Sequence, residues 1–222
     1  MKKKIAILGS TGSIGKTLLK IISRDKKNFQ IVLLTANKNY KLLLKQSEIY
    51  NVKNIIISNK KYFEKGKLNS KNKKLNIFNN FENLIQIFPK RIDYTMSAIV
   101  GLEGLLPTIK IIKFTKKIAI ANKESIICAW NLIKKELKKN KTEFIPVDSE
   151  HFSVWYALRG KSTKNIEKIY LTASGGSLLR IDQKKYKNLS LNQILKHPNW
   201  KMGQKITVDS STMMNKVFEV IE

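Results

Sequence analysis

The sequence has a single cysteine, Cys128, in 222 residues, which excludes an internal disulfide framework and is typical of a reducing compartment. Because apolar residues flank Cys128, we expect it to be a small buried hydrophobe rather than a nucleophile. No apolar run approaches the roughly 18 residues that a membrane-spanning helix needs. The apolar stretch after the basic start, residues 5–8, is too short for a signal peptide. These absences predict a soluble cytoplasmic protein with no membrane partner.

Arginine is also scarce, and this scarcity limits what the high positive charge means. The formal net charge of +27 would favour a polyanionic partner, but only four of the 43 basic residues are arginine. Bidentate recognition of phosphate and guanine favours arginine over lysine. The lysines are scattered and accompany an excess of asparagine and isoleucine, whose A/T-rich codons point to a biased genome. We therefore do not expect nucleic acid to be the main partner.

A glycine-rich loop near the start of the chain is the first sign of a ligand site. The loop GSTGSIG (9–15) follows a short apolar run, residues 5–8, and precedes a helical pattern at Ile14, Leu18 and Ile21. Strand, glycine loop and helix in this order are typical of dinucleotide sites, where loop amides and the helix N-terminus face a pyrophosphate. The alternative, a purely structural turn, has the weaker support.

The end of the next predicted strand, residues 30–35, suggests which dinucleotide is bound. An NAD site usually has Asp or Glu about 20 residues after the glycines. The sequence instead has Asn37, Lys38 and Asn39. A lysine beside amide side chains suits a 2′-phosphate, so we prefer NADP, although Lys38 could also be one more surface lysine.

Apolar runs alternate with helical patterns along the first two thirds of the chain. Further strands are predicted at 54–58, 94–100, 117–121 and 143–147, and helices at 40–50, 81–88 and 105–114, with another helix that follows 122–125 and runs to about residue 139. The Lys- and Asn-rich segment 59–76 predicts a surface loop. This alternation predicts an α/β fold with a doubly wound parallel sheet of Rossmann type. Beyond it we expect a helix at 152–158 and a strand at 166–171.

Two carboxylates follow the strand at 143–147. Asp148 and Glu150 lie at positions i and i+2, which on an extended segment project to the same side. Such a pair can converge on one hard cation, and an oxygen-only ligand set favours Mg²⁺ or Mn²⁺ over Zn²⁺.

Seven motifs together resemble one enzyme family, 1-deoxy-D-xylulose 5-phosphate reductoisomerase, which depends on NADPH. They are GSTGSIG (9–15), AIVGLEGLLP (98–107), ANKES (121–125), PVDSEH (146–151), LTASGG (171–176), HPNWKMGQKI (197–206) and VDSSTMMNK (208–216). They occur in the family's order across nearly the whole chain. The resemblance implies an NADPH-binding domain, 1–147, and the first part of an α/β catalytic domain, 148–222. We expect the family's C-terminal helical domain to be absent.

The resemblance also implies a role for each matched residue. The cofactor would contact Thr11, Gly12, Ser13, Ile14, Lys38, Asn39, Asn122, Glu124 and Gly203. A Mg²⁺ or Mn²⁺ ion, with Co²⁺ as a further candidate, would be held by Asp148, Glu150 and Glu219, and these carboxylates with Lys123 would be the catalytic residues. The substrate would contact Lys123, Ser149, Glu150, Ser174, His197, Ser210, Asn215, Lys216 and Glu219. Trp200 and Met202 would belong to a mobile flap.

The implied reaction converts 1-deoxy-D-xylulose 5-phosphate, a small phosphorylated sugar, to 2-C-methyl-D-erythritol 4-phosphate in isoprenoid biosynthesis. Family members form homodimers, which the shorter chain puts in question. The sequence departs from the family at Asn37, where glycine is usual, and also at 177–179 and 217–218. Two alternatives stay open: an NADPH-binding remnant without catalysis, and another NADP- and metal-dependent oxidoreductase acting on a phosphorylated sugar.

Overall fold

A computed structural model describes residues 1–222, which form two compact units, Met1–Val147 and Asp148–Glu222. The first unit contains β1 (Lys3–Leu8), α1 (Ser13–Ser23), β2 (Phe29–Ala36), α2 (Tyr40–Ile49), β3 (Asn54–Ile57), α3 (Lys60–Asn69), β4 (Asn76–Phe78), α4 (Leu84–Ile87), β5 (Ile92–Ser97), α5 (Leu105–Ile112), β6 (Thr115–Ile120), α6 (Lys123–Asn140) and β7 (Glu143–Pro146). The second unit contains α7 (Ser149–Leu158), α8 (Leu191–Ile194), α9 (Gln204–Ser211) and α10 (Met214–Ile221).

All seven strands of the first unit form one parallel sheet in the order β4-β3-β2-β1-β5-β6-β7. The chain starts at the centre of the sheet, builds outward to β4, and then crosses back to β5 on the other side of β1. This reversal is the topological switch point of a doubly wound sheet, where ligands bind at the carboxyl ends of the strands. The predicted Rossmann-type α/β fold is confirmed.

Apolar side chains cover both faces of the sheet, which explains the nearly unbroken apolar sequence of its central strand. Ala6 and Leu8 of β1 belong to the core cluster that includes residues of α5 and α6. Ile5 and Ile7, on the opposite face, belong to the cluster that includes residues of α1 and α2. Successive side chains of a strand point to opposite faces, so a strand covered on both sides has to be apolar throughout.

The prediction of a surface loop at 59–76 is wrong for most of its length, because α3 occupies Lys60–Asn69 and β4 begins at Asn76. Asn59 caps α3 by accepting a hydrogen bond from the Tyr62 amide. Tyr62 and Phe63 then pack against the core beneath the sheet. The two aromatic residues give the helix its buried face, and the surrounding lysines and asparagines hide that pattern in the sequence.

Three smaller predictions also need correction. The helix expected at 81–88 is reduced to the single turn of α4. The strand expected at 166–171 does not form, and no residue of 148–222 is in a strand that could pair with it. Cys128 is exposed rather than buried. It lies on α6 away from the buried stripe that includes Ile126, Ala129 and Ile133.

None of the helices is both long and apolar enough to span a bilayer.

Candidate functional site

A cleft of about 850 Å³ opens at the carboxyl ends of the strands in the first unit. The glycine-rich loop forms one wall, and the turns that follow β2, β3, β4 and β5 form the others. The lining residues are Gly9, Thr11, Gly12, Thr35, Ala36, Asn37, Ser58, Asn59, Lys60, Asn79, Asn80, Phe81, Glu82, Ala98, Ile99, Val100, Leu102, Glu103, Leu106, Pro107 and Lys110. The cleft lies where the topology of the sheet predicts a nucleotide.

The glycine-rich loop can take its shape only because residue 9 lacks a side chain. Gly9 has a φ of +78°, and a Cβ atom there would lie 2.6 Å from the Ala98 carbonyl oxygen. The Gly9 and Ser10 amides each donate 2.9 Å hydrogen bonds to Thr35, to its hydroxyl and its carbonyl oxygen respectively. The loop is therefore fixed between β2 and β5.

A second anchor of the loop, Gln46 on α2, was not identified from the sequence. The Ser10 hydroxyl donates to Gln46 Oε1 at 2.8 Å, and Gln46 Nε2 donates to the Ser10 carbonyl oxygen at 3.0 Å. Both residues are buried. Gln46 follows the buried Leu43 by three positions, so it lies on the apolar face of α2. A polar residue on such a face is the signal that could have indicated a specific partner.

The residues predicted to bind the cofactor occupy different parts of this region. Thr11 and Gly12 line the cleft, whereas the exposed Ser13 and Ile14 begin α1. Lys38 is exposed and is not among the lining residues. Asn39 caps α2 by accepting from the Leu42 amide at 3.2 Å.

Asn37, which stands where the family usually has glycine, lines the cleft. Its φ is not positive, so the asparagine causes no backbone strain.

The side chain of Asn122 joins the turn after β5 to the start of α6. Asn122 Nδ2 donates to the carbonyl oxygens of Ile99 and Gly101 at 2.5 Å each, and Oδ1 accepts from the Ser125 amide at 2.9 Å. The residue is 3% exposed. Its side chain thus holds the wall of the cleft, while the next two residues, the buried Lys123 and the half-buried Glu124, begin α6.

Three carboxylates converge in the second unit. One oxygen from each of Asp148, Glu150 and Glu219 lies within 4.8 Å of the others. Glu219 is 2% exposed, and the other two are partly buried. Three carboxylate oxygens at this spacing could hold a hard divalent cation such as Mg²⁺ or Mn²⁺.

The expectation that Asp148 and Glu150 lie on an extended segment is wrong, although their oxygens do converge. Asp148 is the N-cap of α7, and its Oδ1 accepts from the amides of Glu150 and His151 at 3.2 and 3.3 Å. The carboxylate of a cap folds back over the first turn of its helix. Glu150 lies in that first turn, so both acids face the same region.

Lys216 balances part of the negative charge of this cluster. Its Nζ lies 3.1 Å from Glu150 Oε1 and also forms an ion pair with Glu219. Burial by itself lowers the pKa of Lys216, but the hydrogen bonds to Glu219 and Glu150 outweigh burial, so the pKa is raised. The ammonium group therefore stays charged at neutral pH.

Other residues predicted to bind the substrate surround the same carboxylates. Asn215 Nδ2 donates to Glu219 Oε1 at 2.6 Å, and the Ser149 hydroxyl donates to Glu150 Oε2 at 2.7 Å. Asn215 and Lys216 precede Glu219 on α10 by four and three positions, about one helical turn, so a single helix supplies an acid, an amide and a cation.

His197 and Ser174 form a second polar pair in this unit. His197 Nδ1 accepts from the amides of Asn199 and Trp200 at 3.1 and 3.0 Å. With Nδ1 used as an acceptor, the neutral ring carries its proton on Nε2, which donates to the Ser174 hydroxyl at 3.2 Å. His197 is 8% exposed.

The turn that carries Ser174 packs against the end of α9. A Cβ atom on Gly176, whose φ is +66°, would lie 2.7 Å from Ser211 Cα, so this glycine permits the close approach. Ser210 is in the same part of α9, and Gly203 is the N-cap of that helix. Trp200, in the predicted flap, is 63% exposed, and Met202 is half-buried.

Comparison with known proteins identifies similar sequences along both units. A family model described as 1-deoxy-D-xylulose 5-phosphate reductoisomerase matches residues 5–130. A second model, described as the C-terminal domain of that enzyme, matches residues 144–222. The protein of that name from Pelagibacter ubique (strain HTCC1062) is 61% identical over 222 residues, which are 99% of this chain and 57% of that protein.

Solved structures of the same description have the same fold. The reductoisomerase from Zymomonas mobilis in complex with NADPH has a TM-score of 0.83 and 31% identity, covering 100% of this chain and 57% of that one. A structure of DOX-P reductoisomerase with NADPH, fosmidomycin and magnesium has a TM-score of 0.89 and 34% identity, covering 99% and 57%. The chain thus spans 57% of the length of these relatives.

Proposed function

Since the chain belongs to the 1-deoxy-D-xylulose 5-phosphate reductoisomerase family, we propose that it takes part in the NADPH-dependent conversion of 1-deoxy-D-xylulose 5-phosphate to 2-C-methyl-D-erythritol 4-phosphate. The single observation that carries the proposal is the convergence of Asp148, Glu150 and Glu219 within 4.8 Å. These are the three acids that the sequence resemblance assigns to the metal, and their helices bring them together beside a charged lysine.

The donor set fits Mg²⁺ or Mn²⁺, because all three candidate ligands are carboxylates. A bound divalent cation would polarise the substrate ketone as a Lewis acid while the carbon skeleton rearranges. Asn215 and Lys216 fix the orientation of Glu219, and the Glu150 and His151 amides fix that of Asp148. Such supporting contacts keep the ligands in place.

The substrate phosphate would be bound by neutral and cationic donors that belong to the same unit. We assign this role to Ser174, Ser210, Asn215 and Lys216. Lys216 would turn from the carboxylates toward the phosphate once their charge is shared with a cation. His197 would keep Ser174 oriented through its Nε2 proton. The exposed Trp200 would cover the substrate and exclude water.

The cleft of the first unit fits the cofactor. The Gly9, Ser10 and Gly12 amides donate to oxygens of the protein itself, so the pyrophosphate would be bound by the amides of Thr11 and of Ser13 and Ile14 at the start of α1. Thr11 and Gly12 line the cavity. NADPH would supply the hydride that reduces the rearranged aldehyde. Lys123 at the start of α6 is proposed to contact the substrate, and Glu124, Asn122 and Gly203 to contact the cofactor.

The test is the oxidation of NADPH, followed at 340 nm, by the purified 222-residue chain with 1-deoxy-D-xylulose 5-phosphate and Mg²⁺ or Mn²⁺. Oxidation should require both substrate and metal, and Asp148→Asn should reduce the rate at least a hundredfold. Glu167→Gln, which neutralises an exposed acid of the same unit, is the matched control and should keep the parent rate.

Two kinds of result would contradict the proposal. NADPH binding without oxidation would contradict catalysis by this chain and support a cofactor-binding role alone. Metal-independent oxidation, or equal loss in the Asp148→Asn and Glu167→Gln variants, would contradict the assigned metal site.

We further propose a homodimer in the cytoplasm as the setting for this activity. An exposed single thiol, Cys128, is in keeping with a reducing compartment. Light scattering coupled to size-exclusion chromatography measures the assembly, and a monomer at micromolar concentration would contradict the dimer.

A further inference from the structure

The far end of the cleft, away from the glycine-rich loop, is lined by amides and one lysine. The turn after β2 contributes Asn37, the turn after β3 contributes Asn59 and Lys60, and the segment after β4 contributes Asn79 and Asn80. Amide side chains and an ammonium group all donate hydrogen bonds, and together they suit an anion better than a neutral group.

Backbone hydrogen bonds hold the turn after β3 against the turn after β2. The Ser58 amide donates to the Ala36 carbonyl oxygen at 3.0 Å, and the Asn59 amide donates to the Asn37 carbonyl oxygen at 3.3 Å. In a Rossmann site the adenosine ribose lies at the end of the second strand. The two bonds therefore place the start of α3, and with it Lys60, next to the expected position of the ribose.

Lys60 is the uncompensated cation of the cleft. The other lining lysine, Lys110, is paired with Glu82. No carboxylate in the structure forms an ion pair with Lys60. A lysine in the first turn of a helix also opposes the helix dipole, so the stability of α3 does not explain this residue.

One carboxylate of the cleft, Glu103, disfavours a bound phosphate. Glu103 Oε2 accepts from Asn37 Nδ2 at 3.4 Å. A carboxylate near the end of the second strand is what an NAD site uses to bind the 2′-hydroxyl of the ribose. The choice between a hydroxyl and a phosphate at this position therefore depends on a cation that outweighs Glu103.

We propose that Lys60 is a specificity-determining residue that binds the 2′-phosphate of the NADPH adenosine, in addition to the residue Lys38 that the sequence indicates. This inference rests on the proposed function, since it names a contact to the same cofactor. It differs from the sequence-based expectation because Lys60, and not Lys38, lines the cleft.

The test compares the dissociation constants of NADPH and NADH for the purified 222-residue chain, measured by nicotinamide fluorescence at low salt. Lys60→Met should weaken NADPH binding roughly tenfold, as expected for the loss of one charged hydrogen bond, and leave NADH binding within about twofold. Lys60→Arg should restore NADPH binding. Lys61→Met is the matched control, because Lys61 is the next residue of α3, is exposed, and does not line the cleft.

Removing the negative charge of Glu103 tests the same binding site for the 2′-phosphate. Glu103→Gln should strengthen NADPH binding relative to NADH. The nucleotide 2′,5′-ADP, which carries the 2′-phosphate without the nicotinamide, should compete with NADPH, and Lys60→Met should weaken that competition by the same factor.

Three results would overturn the inference. They are unchanged NADPH affinity in Lys60→Met, equal losses in Lys60→Met and Lys61→Met, and equal losses of NADPH and NADH in Lys60→Met. In each case the unaltered chain still binds NADPH, so the proposed function stands. Absence of NADPH binding by the unaltered chain would overturn the proposed function and the inference together.

Discussion

Individual buried side chains hold the glycine-rich loop, and Gln46 makes two of the hydrogen bonds that fix it. Both bonds reach Ser10, one to its hydroxyl and one to its carbonyl oxygen. Ser10 is 0% exposed and Gln46 is 5% exposed, so water cannot replace a lost hydrogen bond at either residue. Losing Gln46 would leave two buried polar atoms of Ser10 with fewer partners, in the loop that we propose binds the cofactor pyrophosphate.

Replacement of Gln46 by leucine, which has a similar volume, should therefore lower the free energy of unfolding by about 1–3 kcal/mol. It should also weaken NADPH binding, because the loop amides lose their orientation. Urea denaturation and fluorescence titration measure the two effects. Gln86→Leu is the control, since Gln86 is exposed on α4 and its replacement should change stability by less than about 0.5 kcal/mol. Equal effects of the two substitutions would contradict a positioning role for Gln46.

At the scale of helices and strands, the sequence predicts the elements that have one clear pattern. The buried strands β1 and β2 each contain four consecutive apolar residues, Ile5–Leu8 and Ile31–Leu34, and a helical pattern follows each of them. Prediction from hydrophobic periodicity fails where the buried face of a helix is small. Only Tyr62 and Phe63 of α3 pack against the core cluster that includes residues of α1 and α2, and the lysines around them hide the helical period. It also fails at 166–171, because an apolar run becomes a strand only beside a partner strand.

The same limits apply to the candidate site. The resemblance points to the acids of the second unit, and their oxygens converge, but by a helix cap at Asp148 rather than by an extended segment. The anchoring role of Gln46 and the proposed role of Lys60 were missed because both depend on contacts between segments that are distant in sequence. For Lys60, the bonds from Ser58 to Ala36 and from Asn59 to Asn37 bring the turns after β3 and β2 together. These residues are far apart in sequence, so no local pattern reveals the contact.

The start of α6 depends on Asn122, whose amide group also fastens the turn after β5. Asn122→Ala should lower the free energy of unfolding by about 2–4 kcal/mol, because it removes the cap and the bonds to Ile99 and Gly101. Asn122→Ser keeps a side-chain oxygen that can cap the helix, so it should lose less. Urea denaturation of the two variants separates the contributions. A serine variant as stable as the parent would mean that the bonds to Ile99 and Gly101 contribute nothing.

Across the whole molecule, burial is distributed unevenly between the two units. The first unit encloses both core clusters and the complete sheet. In the second unit no residue of α7 or α8 is buried, and the same holds for the short 3₁₀ helices Thr163–Asn165 and Gln183–Asn188. Local opening is easiest where few apolar side chains are buried and backbone hydrogen bonds are exposed.

Limited digestion with trypsin should therefore cut first between residues 159 and 187 and leave a persistent product that contains residues 1–147. Both units are rich in lysine, so the order of cleavage reports local stability rather than the supply of cleavage sites. Mass spectrometry of the early products gives that order. A first cut at Lys71, Lys73 or Lys74, in the exposed connection before β4, would contradict the prediction.

The position of β1 at the centre of the sheet has a consequence for synthesis on the ribosome. β1 is the first strand to be synthesised, and it pairs with β2 on one side and with β5 on the other. The second edge stays unpaired until β5 is made, since Asp93, which accepts a hydrogen bond from the Lys4 amide, lies 89 positions further along the chain. At ordinary elongation speeds this interval lasts roughly 5–20 s. During this interval the nascent chain carries an apolar strand with one unpaired edge, which is a site for pairing with another chain. The cleft at the carboxyl ends of the strands cannot form before Ala98 has left the ribosome and packed against Gly9.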